Sequence, residues 1–87
     1  MATNKHAIIR YHALDLCFSN PGRNFFIEDL IEACNDAIYD YTGIPESIKR
    51  RQIFDDIKFM ESEQGWSIPL DRIRDGKRVY YRYYDRK

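Results

Sequence analysis

Three observations predict a mainly α domain closed by a small β-hairpin. Apolar residues recur at spacings of three and four through three successive stretches, and the last twenty residues switch to a period of two around Asp75 and Gly76. Only short breaker segments ("NPGRN", "GIPE", "EQG") part these stretches, so consecutive elements must pack as neighbours. A chain of 87 residues holds one domain, read as residues 1–87. At this size little more than about 60% of the unfolded surface is buried, so the core has to be compact.

The first helix, about residues 5–19, carries Ala7, Tyr11, Leu14 and Phe18 on one stripe. Asn20, Pro21 and Gly22 stop it, and Phe25 and Phe26 read as a short extended piece. The second helix, about 27–42, places Ile27, Leu30, Ile31, Cys34, Ile38 and Tyr41 on its buried side. Glu28, Asp29, Glu32, Asp36 and Asp40 mostly face water, and the first two suit the positive end of the helix dipole.

In the third helix, about 47–63, Ile53, Ile57 and Met60 fall within roughly 60° of one another on a helical wheel. Arg51, Asp55, Lys58 and Ser62 then lie opposite, while Lys49 and Arg50 flank the buried stripe near the N-terminal end. The hairpin, about 66–84, alternates Trp66, Ile68 and Leu70 and continues into the strand-forming "KRVYYRYY". Asp75 and Gly76 predict a two-residue type I′ loop, which sets Arg74 opposite Lys77, Arg72 opposite Val79 and Leu70 opposite Tyr81. Ile68, Leu70, Val79, Tyr81 and Tyr83 then share an apolar face, with Tyr80, Arg82 and Tyr84 on the other, a candidate stacking or interdomain face. Pro69 cannot donate a ladder bond, which makes its strand an edge. Three helices with a tight second turn, followed by a hairpin, constitute a winged helix-turn-helix.

The composition, 44% apolar and 32% charged, is that of a soluble globular protein. No apolar run nears the roughly 20 residues that span a bilayer, and the N-terminus has no signal-peptide pattern, so a cytoplasmic chain is expected. Cys17 and Cys34 form no CxxC pair, and His6 and His12 stand at no zinc spacing from them, so neither a metal nor another cofactor is expected. No nucleophile with a nearby base, phosphate-binding glycine loop or metal set argues for an enzyme.

The formal net charge is zero, but its distribution is uneven. Residues 1–46 hold seven acids and three bases, whereas residues 47–87 hold seven acids and eleven bases. A basic half carried on an acidic half fits one surface meeting an anionic partner. Lys49, Arg50 and Arg51 oppose the dipole of the helix they begin, at a cost of a few tenths of a kcal/mol or more, which an anion offsets. An Arg51–Asp55 pair at i,i+4 supplies only about 0.2–0.5 kcal/mol. The expected partner is double-stranded DNA, with Ser47, Lys49 and Arg50 on phosphates and Arg51 on guanine O6 and N7. Gln52 and Asp55 are next in line for base edges, with Lys58 on the same outward side. Arg72, Arg74, Lys77 and Arg78 form the basic tip of the wing, against the backbone or minor groove. The rival expectation is a winged helix that binds another protein through its acidic second helix.

The segments "NKHAIIRYHALDLC", "FIEDLIEACNDAIYDYTGI", "KRRQIFDDIKFM" and "VYYRYYD" resemble, in order and spacing, the N-terminal winged-helix domain of bacterial WYL-domain transcriptional regulators, of Bacteroides type in particular. The resemblance implies DNA binding by this domain and effector sensing by a C-terminal WYL domain of the full-length protein, which is expected to follow a linker beginning near Lys87. Homodimers on repeated half-sites are the usual arrangement of such modules. Two positions depart from the family pattern. A Ser or Thr caps the recognition helix near the place of Lys49, which leaves Ser47 or an earlier residue as the cap. A polar residue is common where Phe54 stands, so an exposed Phe54 or Phe59 is a candidate for a thymine methyl or for a partner protein.

Overall fold

The computed structural model describes residues 6–20, 22–45 and 47–83. Its elements run α1 (Ala7–Phe18), β1 (Phe25–Phe26), α2 (Ile27–Thr42), α3 (Arg50–Glu61), β2 (Leu70–Asp75) and β3 (Arg78–Tyr83). Three helices and a small antiparallel sheet of order β1-β3-β2 make a winged helix. Lys5 and Tyr84, counted in the expected first helix and hairpin, lie outside the described residues.

The stripes meet in one core. Tyr11, Leu14 and Phe18 of α1, Leu30 and Cys34 of α2, and Ile53, Ile57 and Met60 of α3 are buried together with Phe25, Leu70 and Tyr81 of the sheet. Fully burying side chains of this size stabilises a fold by about 1.5–3 kcal/mol each. Both cysteines are reduced and buried, and burial pushes the Cys17 thiol up to about 11 and the Cys34 thiol up to about 12. Tyr41 falls on the expected buried stripe but is 77% exposed, because it lines an open groove between α1 and α2.

Polar groups fix the element ends. Asp29 accepts a bond from the Phe26 N–H at 3.0 Å and another from Arg23 at 3.1 Å, holding the start of α2 beside β1. Gly43 closes α2 at φ 77, where its N–H reaches Tyr39 O at 2.7 Å, and the missing Cβ removes the cost of the left-handed conformation. The turn into α3 is tied to α2 by the Ile48 N–H, which donates to Asn35 Oδ1 at 2.9 Å. Lys49 is extended, at φ −90 and ψ 157, so α3 begins at Arg50 with Lys49 at the N-cap. Ser47 is therefore not the cap, and no side chain caps α3.

The hairpin differs from expectation in two ways. α3 stops at Glu61, residues 63–66 form turns, and the strand expected from Trp66 begins only at Leu70. The N–H groups of Trp66 and Ile68 both go to Met60 O, and that of Ser67 goes to Ser62 O, so the segment satisfies the open carbonyls at the end of α3. Gly65 is required there, since a Cβ would lie 2.0 Å from Phe59 O.

The register is also shifted by two from the expected one: Leu70 pairs with Tyr83, Arg72 with Tyr81, Arg74 with Val79 and Asp75 with Arg78. The loop is thus Gly76-Lys77, with Gly76 at φ 66 and Lys77 at negative φ, the pattern of a type II′ turn with glycine first. A shift of two preserves which face each side chain occupies, so Leu70, Val79, Tyr81 and Tyr83 still pack inward. β2 is an edge strand, as Pro69 at its threshold requires.

Candidate nucleic-acid interface

The orientation of α3 is set from its buried side. Beside Ile53, Ile57 and Met60 that side carries Asp56, which is 1% exposed, and its carboxylate takes two bonds from Arg10 of α1, itself 2% exposed. Arg10 Nε donates to Asp56 Oδ2 at 2.5 Å and Nη2 donates to Oδ1 at 3.1 Å. Gln52 Nε2 adds a third bond, to Asp56 Oδ1 at 3.0 Å. A bidentate arginine on a buried carboxylate allows little rotation of either group, so α3 is locked to α1 about its own axis. The sequence offers one signal for Asp56: it stands within the Ile53, Ile57, Met60 stripe at helical spacing.

With that side fixed, Arg51, Phe54, Asp55 and Lys58 are exposed along α3, and Lys49 and Arg50 are exposed at its start. Ser47 is exposed in the preceding turn, whereas Gln52 is half-buried and held by Asp56. The two exposed phenylalanines have different surroundings. Phe59 stacks on Tyr11 with ring centroids 5.3 Å apart, and it packs beside Gly65. Phe54, 44% exposed, instead lines a groove of about 270 Å³ between α3 and the sheet.

That groove gathers cations from distant parts of the chain. Arg50, Lys77 and Arg78 line it together with Phe26, Val79 and Tyr81. Glu28, in the first turn of α2, stands between the two arginines: Arg50 Nη2 is 3.5 Å from Glu28 Oε2, and Arg78 Nη2 is 3.7 Å from Glu28 Oε1. The Arg78 guanidinium also lies 3.7 Å over the Phe26 ring. Nothing local in the sequence signals this role of Glu28, which reads there only as a partner of the helix dipole.

The wing cations are not equivalent. Arg74 and Lys77 are exposed. Arg72 is bidentate to Glu61 at the end of α3, at 2.9 and 2.7 Å, and that hydrogen-bonded carboxylate raises the pKa of its guanidinium. Arg72 therefore joins the wing to α3. At the far end of β3 the Tyr83 hydroxyl donates to Asp15 of α1, and burial followed by that carboxylate pushes the phenol above its ordinary value.

A larger groove of about 850 Å³ lies between α1 and α2, lined in part by Ile8, His12, Leu16, Ala37 and Tyr41. Among the described residues no group of three or more His, Cys, Asp or Glu side chains is placed to hold a metal ion, and no helix is long and apolar enough to cross a membrane.

A family model described as the N-terminal winged helix domain of WYL domain-containing proteins matches residues 6–84. No curated protein and no solved structure matches the chain.

Proposed function

The chain belongs to the N-terminal winged helix domains of WYL domain-containing proteins, and from that premise we propose that it binds duplex DNA sequence-specifically as the reading head of a bacterial transcriptional regulator. One observation carries the proposal: Arg50 from the start of α3 and Arg78 from the wing meet across Glu28, so cations of two distant segments present one surface. A phosphate backbone is the partner that rewards such a surface, because each neutralised phosphate releases counterions.

In this reading α3 enters the major groove and the wing lies against the backbone or minor groove. Lys49, Arg50 and Ser47, around the uncapped start of α3, contact phosphates, and Arg51 projects outward to guanine. Asp55 and Lys58 follow along the same exposed side. Arg74, Lys77 and Arg78 serve the wing, while Arg72 and Gln52 act by holding the wing and α3 through Glu61 and Asp56. The domain works without a catalytic step or a cofactor, in the cytoplasm, as a homodimer on repeated half-sites, ahead of an effector-sensing WYL domain.

The test is binding to duplexes selected from random sequence, titrated with salt. Log affinity should fall steeply against log salt, and Lys77→Ala with Arg78→Ala should flatten the slope without changing the preferred sequence. A slope near zero refutes DNA binding. The exposed apolar groove between α1 and α2 favours a second reading, a protein-binding winged helix, which requires no DNA affinity even at low salt.

A further inference from the structure

Phe54 is an apolar ring set among cations. Arg51 and Lys58 are its neighbours at i−3 and i+4 on α3, and Arg50, Lys77 and Arg78 line the groove beside it, outnumbering the one carboxylate there, Glu28. Its ring takes part in no aromatic or cation–π contact found among the described residues, whereas the equally exposed Phe59 is committed to Tyr11. A large apolar side chain costs free energy while it faces water, and cations close around it repel most apolar protein surfaces, which would have to desolvate them. The occupant that suits both features is anionic and offers one small apolar point at its centre.

Duplex DNA has that composition. Phosphates flank the major groove, and within it the only apolar group on the base edges is the C5-methyl of thymine. We propose that Phe54 reads a thymine methyl in the major groove, next to the base pair contacted by Arg51. The inference rests on the DNA-binding reading and adds a base that it does not name. Arg51 and Phe54 are three residues apart on one helix, so the thymine should lie within one or two base pairs of the guanine.

The experiment replaces each thymine of the selected duplex, one at a time, by deoxyuridine, which removes only the methyl group. The wild-type protein should lose about three- to fivefold in affinity at one thymine, the effect of uncovering a single methyl group. Phe54→Ala should bind more weakly and be indifferent to deoxyuridine at that same position, and Phe54→Leu should keep part of the discrimination. Arg51→Ala should retain the methyl effect. Thermal melts establish that each variant is folded, which the exposure of both side chains leads one to expect. A wild type indifferent to every replacement overturns the proposal, as does a methyl effect of unchanged size in Phe54→Ala. A wild type that binds no duplex at low salt overturns the DNA reading itself, and the methyl contact falls with it. Loss of self-association in Phe54→Ala, with the methyl effect unchanged, assigns the ring to a protein contact and also overturns the proposal.

Discussion

Replacing Asp56 by Ala should remove a large part of the domain's stability. The substitution leaves the Arg10 guanidinium, 2% exposed, without the carboxylate that accepts two of its bonds, and it removes the acceptor of the Gln52 amide. Breaking a buried pair from one side costs about 3–5 kcal/mol, because the two bonds to the carboxylate are lost where water cannot replace them. At roughly 0.05–0.15 kcal/mol per residue, a chain of this length has only about 4–13 kcal/mol of stability to lose. The midpoint of thermal unfolding should fall by at least about 12 °C. Replacing both partners, Arg10→Met with Asp56→Leu, should recover most of the loss, since a well-packed apolar pair removes the desolvation cost along with the attraction. Urea denaturation of the wild type, Asp56→Ala and the double variant, followed by circular dichroism, measures each stability. A loss below about 1 kcal/mol for Asp56→Ala, the range of exposed pairs, would refute the view that this contact locks α3 in place.

Arg51→Ala should cost about 1–3 kcal/mol on the selected duplex and relax preference at one base pair, whereas Lys49→Ala should weaken all sequences alike. Competition against single-base variants distinguishes the two, and an Arg51→Ala loss of equal size on every variant would make the cluster an electrostatic clamp only. Alkaline pH should destabilise the domain. The Cys34 thiol sits at about 12 when folded against 9.0 for the ordinary group, so the unfolded chain releases its proton first and stability falls as pH rises from about 9 towards 12. Cys17, at about 11, and Tyr83, raised by burial and by Asp15, act in the same direction. Cys34→Ala should reduce that pH dependence in urea melts between pH 8 and 11, and an unchanged dependence would refute the assignment.

Apolar periodicity made the helices legible, because burial on one side is a property of each helix alone: Leu30, Cys34, Ile53, Ile57 and Met60 fall where spacing puts them. The hairpin shows the limit of that signal. Alternation decides which face a side chain occupies, but it cannot detect a slip of two, which leaves every face unchanged. The observed register is consistent with pairing elsewhere, since β3 also binds β1 through Phe25 with Tyr81 and Phe26 with Tyr80. The candidate site was half legible for a related reason. Sequence tells which residues are cations but not which acid lies across the fold from each. Arg72 and Arg78 look alike in the chain, yet one is paired bidentately with Glu61 and the other is stacked on Phe26 with Glu28 at 3.7 Å. The buried Arg10–Asp56 pair joins residues 46 positions apart. In each case the partner comes from another element, so what a charged residue does is decided only when the elements pack.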